Sequence, residues 1–239
     1  MSGNDNNTKL LLHLNGKNGS NYFPDSSFSN NIISSYGVII SIEQSKFCGS
    51  SAYFDGINDY LLVPDSDNWN FGNNDFTIDA QIRITSVSIG STIGFFSQYV
   101  NIDNRGGFNY TEGSGLVFFA RSGGTNTIIV IGNCSLLLNM WYHVAVVRNG
   151  TNFYLFLNGV DITSSGSSES DPYPDFSTSA KIGIWNESIY FNGYVNEFRV
   201  SKGIARWTSN FTPLQRQYGR DYSFVPFNRS YPINYSYDF

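Results

Sequence analysis

The chain of 239 residues has a formal net charge of −5, and charged residues make up only 14% of it. Such an acidic, weakly charged chain lacks the basic face that non-specific nucleic-acid binding requires, which argues against that class of partner. Aromatic residues reach 17% and glycines number 23, a composition that favours strands and tight turns over helices.

The first residues are polar, and we expect residues 1–8 to form a flexible end without a signal peptide. No apolar run is long enough to span a bilayer, so no membrane insertion is expected. Residues 9–14 then predict a short buried strand, and residues 32–42 predict one or two more.

A dense set of strand and turn signals follows in the first half of the chain. Residues 51–54 and 60–63 predict two strands joined by the loop 55–59. Pro64 ends the second strand, because proline cannot donate a hydrogen bond to a ladder. Residues 76–84 then predict a long strand.

Three further strands are predicted at 87–100, 116–120 and 127–131. The stretch 101–115 between them is polar and glycine-rich and predicts a long loop, and 161–179 predicts a second one. Long loops on a rigid scaffold often carry binding residues, so these two are the first candidates for a ligand site.

Residues 140–160 show the clearest alternation in the chain. Successive strand side chains point to opposite faces, so this pattern predicts a strand with a core side and an outer side. The two faces consist of Trp141, His143, Ala145 and Val147 on one side and Tyr142, Val144, Val146 and Arg148 on the other. Asn149-Gly150 supplies the positive φ of a tight turn, which predicts a hairpin.

Several of these segments resemble, in order, the motifs of laminin-G-like, concanavalin A-like jelly-roll domains. The matching segments are KFCGSSAYFDGINDYLLVPDS, DFTIDAQIRI, WYHVAVVR with YLFLNGV, and FNGYVNEFRVSKGIARWTSNFTP. They resemble the variant that is common in phage and other virion proteins. The resemblance implies an all-β, two-sheet antiparallel jelly-roll sandwich over residues 9–214, with the last strand near the first. The many short strands and regular turns predict the same class independently.

One segment departs from that family. Asp79, Ala80 and Gln81 stand where the family usually carries aromatic residues, so the outer side of this strand is smaller and more polar. The departure predicts either a local packing variation or a surface that meets a partner.

Catalysis is a possibility to test, because concanavalin A-like sandwiches include glycosidases, which place paired carboxylates at alternate positions of one strand. Neither Asp79 nor Glu197 has a carboxylate partner by spacing. His13 and His143 each lie in an apolar strand, where a histidine is usually a packed, hydrogen-bonded residue. We therefore expect no enzymatic activity and no catalytic residues.

Calcium is the cofactor that the sequence suggests, because the loops 55–59 and 101–104 offer carboxylate and amide oxygens. The alternative is that these side chains cap their own turns, and no ligand is assigned. Cys48 and Cys134 are too few for a disulfide framework. We interpret them as small buried hydrophobes, with a bridge between them as the alternative.

A carbohydrate site would combine exposed aromatic rings with polar side chains that bind hydroxyl groups. The candidates for such ligand binding are Arg105, Phe108, Asn109 and Tyr110 in the first long loop and Tyr173 and Phe176 in the second. The alternative is that these aromatic residues tuck onto the sandwich.

Residues 215–239 follow the natural end of the domain and are rich in Tyr, Phe and Arg, which interfaces favour. They predict either a segment that docks on another protein or one that folds back over its own sandwich. The partner-docking candidates are Tyr218, Tyr222, Phe224, Phe227, Tyr231 and Tyr235.

The resemblance implies a non-enzymatic module of a virion, such as a capsid or tail decoration, a fibre or a minor structural protein. Its expected partners are other virion structural proteins, bound through the tail, and cell-surface glycans or another host surface, bound through the loops. Such a protein would be made in the host cytoplasm, and it could form a homo-oligomer. The alternative is a free-standing, lectin-like carbohydrate-binding adhesion domain.

Overall fold

A computed structural model describes residues 3–88, 90–166 and 168–219 as an all-β sandwich. Its strands, in chain order, are β1 (Thr8–Leu12), β2 (Ser34–Tyr36), β3 (Ile39–Ser41), β4 (Ser51–Asp55), β5 (Tyr60–Val63), β6 (Phe76–Ile84), β7 (Thr92–Asn101), β8 (Asn104–Thr111), β9 (Gly115–Ser122), β10 (Thr125–Gly132), β11 (Trp141–Asn149), β12 (Asn152–Leu157), β13 (Val160–Asp161), β14 (Thr163–Ser165), β15 (Ala180–Ile182), β16 (Ile184–Trp185), β17 (Ile189–Tyr190) and β18 (Asn192–Lys202). No helix that could cross a bilayer occurs in these three ranges.

The strands form two large antiparallel sheets. Sheet I has eight strands, in the order β13-β12-β11-β6-β18-β4-β3, with β1 also paired to β18. Sheet II has eight strands in the order β14-β10-β9-β8-β7-β15-β5-β2, and β16 and β17 form a separate hairpin. The predicted jelly-roll sandwich and the pairing of its last strand with its first are confirmed.

One hydrophobic core lies between the two sheets. Strand β6 contributes Ile78, Ala80 and Ile82 to it, at alternate positions, and β9 contributes Leu116 and Phe118. Aromatic rings pack closely in this core, with neighbouring centroids 4.5 to 6.1 Å apart. The cluster consists of Phe71, Phe76, Phe118, Phe153 and Tyr173.

The predicted hairpin is confirmed, because β11 and β12 pair around a turn at Gly150. Val144 and Val146 face the core between the sheets, but the opposite side of β11 is buried as well. A smaller apolar cluster there consists of Ala145, Val147 and Phe156, packed against Tyr154, Ala205, Trp207 and Phe211. Residues 203–219, named here the C-terminal strap, therefore cover the outer face of sheet I.

The loop predicted at 101–115 is wrong, because β8 lies within it and pairs with β7 and β9. Its glycines, which suggested a loop, allow close packing instead. A Cβ on Gly106 would lie 2.9 Å from the hydroxyl oxygen of Tyr173 and 3.0 Å from the ring of Phe176. The second predicted loop, 161–179, includes β14 and carries these two rings into the core.

The flexible end predicted at 1–8 is wrong for the part of it that the structure describes. Thr8 is 1% exposed, and Asp5 forms an ion pair with Arg206 at 2.9 Å. The N-terminal segment is thus held against the C-terminal strap. Packed residues therefore lie before and after the predicted domain bounds of 9 and 214.

Both cysteines are free, so no bridge joins them. The interpretation as a buried hydrophobe is wrong for Cys48, which is exposed and has its Sγ 2.7 Å from Oε1 of Gln217. Cys134 is partly buried, and this burial raises the pKa of its thiol.

A substitution in the aromatic cluster tests the packing of the core. Phe118 is fully buried, and we expect Phe118→Ala to lower the free energy of unfolding by about 3–5 kcal/mol, because it leaves a cavity among Phe76, Phe153 and Tyr173. Chemical denaturation followed by circular dichroism measures this change. Ile57→Ala, at a side chain 73% exposed, is the control and should change stability by less than about 0.5 kcal/mol. Equal losses of stability in Phe118→Ala and Ile57→Ala would contradict this packing.

Candidate functional site

The structure buries most of the side chains that the sequence suggested for sugar binding. Four of them belong to the core, namely Phe108, Tyr110, Tyr173 and Phe176. Asn109 points to the outer face of β8 but is only 2% exposed. The expectation of exposed rings is therefore wrong, because strand alternation turns the aromatic residues of β8 inward. Arg105 keeps a partly exposed position.

Tyr218 is the one residue of the six predicted for partner docking that the structure describes. Tyr222, Phe224, Phe227, Tyr231 and Tyr235 lie outside the described residues. Tyr218 is 7% exposed, and its ring lies 3.9 Å from the guanidinium carbon of Arg199 on sheet I. The start of the tail thus follows the alternative interpretation and folds back over its own sandwich.

Asp79 is the centre of a buried polar network between sheet I and the C-terminal strap. Its Oδ1 accepts a hydrogen bond of 2.8 Å from Nε of Arg199, and its Oδ2 accepts one of 2.5 Å from the Tyr218 hydroxyl. Nε2 of His143 lies 3.5 Å from the same Oδ2. The carboxylate that looked isolated in the sequence is therefore fully partnered, by residues far away along the chain.

A β-bulge in β18 brings a second carboxylate to this face. The pairing of β18 with β6 shifts by one residue between Asn196 and Arg199, and Glu197 has a φ of +52°. Asn196 and Glu197 therefore both point outward, while Phe198 returns to the core. Glu197 Oε1 lies 2.8 Å from Nδ1 of His13, and its Oε2 accepts the backbone N–H of Tyr218 at 2.9 Å.

The surroundings of Asp79 favour the ionised form of its carboxyl at neutral pH. Burial alone would raise the pKa of its carboxyl, but the Arg199 guanidinium and the His143 ring outweigh that effect, and the pKa falls to about 2. A glycosidase acid needs a raised pKa to hold its proton near neutral pH. Asp79 therefore acts as a structural anion that holds the strap in place.

A pocket of about 270 Å³ opens beside this network, between β6, β11 and the strap. We name it the Gln81 pocket, after a buried side chain in it whose Oε1 has no hydrogen-bond partner among the described residues. It is lined by Lys46, Gln81, Trp141, His143, Asn158 and residues 213–215. Its size lies near the lower limit of small-molecule sites, roughly 300 Å³.

Strand register places the main groups of the pocket together. His143 of β11 lies opposite Gln81 of β6, and Trp141 lies two residues away on the same face of β11. Asn158 accepts the backbone N–H of His143 at 2.9 Å, which fixes the position of its amide group. The departure from the family pattern contributes to this site at Gln81, because an aromatic side chain there would fill the space, whereas Ala80 faces the core.

Three buried polar atoms of the residues that line the pocket lack hydrogen-bond partners among the described residues. They are Oε1 of Gln81, whose side chain is 4% exposed, and both ring nitrogens of His143, which is 3% exposed. A buried polar atom without a partner costs about 1–3 kcal/mol. A ligand with hydroxyl groups in the pocket would remove that cost, and the partly exposed indole of Trp141 would pack against its apolar face.

The loops suggested for calcium use their oxygens within their own turns. Oδ1 of Asp55 accepts the N–H of Ile57 at 2.7 Å, and Oδ1 of Asn101 accepts the N–H of Asp103 at 3.0 Å. In the part of the chain that the structure describes, no group of three or more His, Cys, Asp or Glu could hold a metal ion. Calcium binding stays a prediction.

The two packed sheets define a jelly-roll sandwich of the concanavalin A-like type. Residues 55–206, more than half of the chain, match the family model of the concanavalin A-like lectin/glucanases superfamily. The protein therefore belongs to that superfamily, as the sequence motifs implied. A search of curated protein sequences finds no match.

Several solved structures share the fold. Domain 4 of AbnA, a GH43 extracellular arabinanase from Geobacillus stearothermophilus, in complex with arabinotriose, superposes with a TM-score of 0.63 at 14% identity, covering 83% of this chain and 93% of that domain. The binding domain of Paraclostridial Mosquitocidal Protein 1 has a TM-score of 0.62 at 17% identity, with coverages of 82% and 49%. A structure of botulinum neurotoxin type C, whose cell entry depends on two ganglioside molecules, has a TM-score of 0.58 at 19% identity, with coverages of 82% and 48%. The chain spans about half of each toxin structure.

The Asp79 network predicts a specific response to acid. We expect Asp79→Asn to lower the free energy of unfolding by about 3–5 kcal/mol at neutral pH, because Arg199 would become an unpaired buried charge. The carboxyl has a pKa of about 2 in the folded protein and 3.8 as its ordinary value. Its stabilising effect is therefore complete above pH 3.8 and is lost as the pH falls toward 2.

Denaturant titrations of the native protein and the variant between neutral pH and pH 2 measure this effect. The native protein should lose more stability than Asp79→Asn in the acid part of that range. Asp103→Asn is the control, because Asp103 is 55% exposed and its pair with Arg121 is worth roughly 0–1 kcal/mol. Identical acid responses of the native protein and Asp79→Asn would contradict the assignment.

Proposed function

We propose that this protein is a non-enzymatic glycan-binding module of a virion. The Gln81 pocket carries the proposal, because one cavity is lined by a partly exposed indole ring and by side chains that have unpartnered buried polar atoms. Sugar recognition uses that combination, in which an apolar sugar face packs on an aromatic ring while hydroxyl groups bind fixed polar atoms. The occupied carboxylates of the same face support a binding role over a catalytic one.

The groups of the pocket have distinct roles in this proposal. Trp141 stacks against the sugar ring, Oε1 of Gln81 accepts a hydrogen bond from one hydroxyl, and Nδ1 of His143 binds another. The ammonium of Lys46 donates to a sugar oxygen at the rim. Gln81 and His143 sit on neighbouring strands of a packed sheet, so little conformational entropy is lost when a ligand binds.

The structural relatives support this ligand class. One of them is a complex with arabinotriose, and another is described as depending on two ganglioside molecules for cell entry. At identities of 14% and 19% they share the fold with this chain, and the pocket residues themselves supply the argument for its ligand.

A glycan array with the full chain, followed by calorimetric titration of the best glycan, tests the pocket. We expect Trp141→Ala and Gln81→Met each to weaken binding by about ten-fold or more, because they remove the stacking surface and the buried acceptor. Gln81→Met keeps the side-chain volume. Tyr22→Ala, at an aromatic side chain 74% exposed outside the pocket, is the control and should bind normally.

Two results would contradict this part of the proposal. Native affinity in both Trp141→Ala and Gln81→Met would exclude the Gln81 pocket as the glycan site. Absence of binding to any glycan by a protein with an intact thermal transition would exclude the glycan-binding function itself.

The virion assignment is supported by the resemblance of the sequence motifs to jelly-roll domains of virion proteins. In this proposal the protein decorates a capsid or tail, residues 220–239 dock on other virion proteins, and the Gln81 pocket recognises a host surface. Tyr218 is reassigned to the fold of the domain, since it is buried in the Asp79 network. Self-association stays a prediction.

Deletion of residues 220–239 separates the virion module from the free-standing lectin-like alternative. We expect the shortened chain to bind glycans normally but to be lost from purified particles, because it retains the pocket and lacks the docking segment. Density-gradient purification of particles from cells that express either form, followed by immunoblotting, measures incorporation. Full-length Tyr22→Ala is the control. Absence of the full-length protein from particles would favour the alternative.

A further inference from the structure

The outer face of sheet II holds two arginines side by side. Arg105 of β8 lies directly opposite Arg121 of β9 in the antiparallel ladder. Their neighbours along the strands, Gly106 and Ala120, point inward, so both arginines point outward. Like charges at directly opposite positions of a ladder destabilise the pair. In a chain of net charge −5, this local concentration of positive charge needs an explanation.

The two arginines are only weakly neutralised by the described residues. Arg121 donates to Oδ1 of Asn126 at 2.8 Å, and its Nη2 lies 3.5 Å from Asp103, a carboxylate that is 55% exposed. Arg105 forms no ion pair or side-chain hydrogen bond with the described residues, and its Nε and Nη1 have no partner. These two nitrogens of Arg105 are themselves shielded from solvent, as is the unpartnered Nε of Arg121, so the positive charge of the pair is poorly compensated by the described residues.

An aromatic surface lies beside the arginine pair. The guanidinium carbon of Arg105 is 5.7 Å from the centroid of the Phe119 ring, which is itself partly exposed. Trp185 packs edge-on against that ring at 6.3 Å. Tyr99 of β7 lies opposite Arg105 on the other side. Two charged side chains and a partly exposed ring are thus adjacent on the sheet.

We propose that Arg105 and Arg121 form a second binding site, which takes the carboxylate or sulfate group of an acidic sugar. A guanidinium binds such planar or tetrahedral oxyanions through paired, charge-assisted hydrogen bonds. The anion neutralises the opposed arginines, while the sugar ring lies toward Phe119. This site is on sheet II, and the Gln81 pocket is on the outer face of sheet I, so the two bind independently.

Titration of the full chain with sialyllactose, sulfated lactose and neutral lactose tests the site. We expect the two acidic sugars to bind more tightly than lactose, and added salt to weaken only their binding. Arg105→Gln should reduce this preference by about ten-fold or more, because it removes a charge-assisted pair. Lys17→Gln removes the same charge from an exposed position and should leave the preference unchanged.

Asp103→Asn should change the affinity for acidic sugars in the opposite direction to Arg105→Gln. It removes the carboxylate that competes for Arg121, so it should tighten binding of the acidic sugars. Arg105→Gln should not lower the melting temperature, because it also relieves the repulsion between the arginines. A binding loss with unchanged melting temperature therefore separates a ligand role from a structural one.

Several outcomes would overturn the site. These are no binding of either acidic sugar, equal affinity for lactose, or an unchanged preference in Arg105→Gln. Vesicles containing phosphatidylserine serve as a separate probe, and binding to them alone would identify a phosphate headgroup instead of a sugar. Trp141→Ala should leave the preference for acidic sugars intact, so failure of the Gln81 pocket and failure of this site can be told apart.

Discussion

The buried ion pair between Asp79 and Arg199 is the contact on which the outer layer of this sandwich depends. Both side chains are almost completely removed from solvent, on the neighbouring strands β6 and β18. Charges in such a position are tolerated only when paired and hydrogen-bonded. The Tyr218 hydroxyl completes the shell of Asp79, and the Tyr218 backbone completes that of Glu197. The polar network thereby determines the path of the C-terminal strap, and the strap in turn forms one wall of the Gln81 pocket.

Much of this fold could be predicted from local patterns. The strands at 60–63 and 76–84 have the predicted limits, because alternation and a terminal proline are local signals. Strand β8 was not predicted, because its glycines resemble those of a loop until Tyr173 and Phe176 are seen to pack against them. Those rings lie more than sixty positions further along the chain, so no local sequence pattern predicts that they pack against β8.

The candidate sites were even less accessible to sequence reasoning. Asp79 and Glu197 appear isolated by spacing because their partners, Arg199 and His13, lie 120 and 184 positions away. The small, polar segment around Gln81 was a genuine signal, since it departs from the family pattern where the pocket opens. Its two interpretations could not be separated without the position of the strap. Both interpretations hold in part, because this surface of β6 packs against the C-terminal strap and leaves the Gln81 pocket beside the strap.

The topology of sheet I has a consequence for how the protein is made. Strand β18 is the last of the described strands along the chain, yet it lies between β6 and β4 and also pairs with β1. Without it, the sheet separates into a four-strand group, a two-strand group and a single strand, each with unpaired edges. Residue 202 must therefore be synthesised before this sheet can close, so sheet I forms late in the folding of the domain. Until that moment the nascent chain exposes strand edges that can pair with other copies, and rapid synthesis in large amounts increases its demand for chaperones.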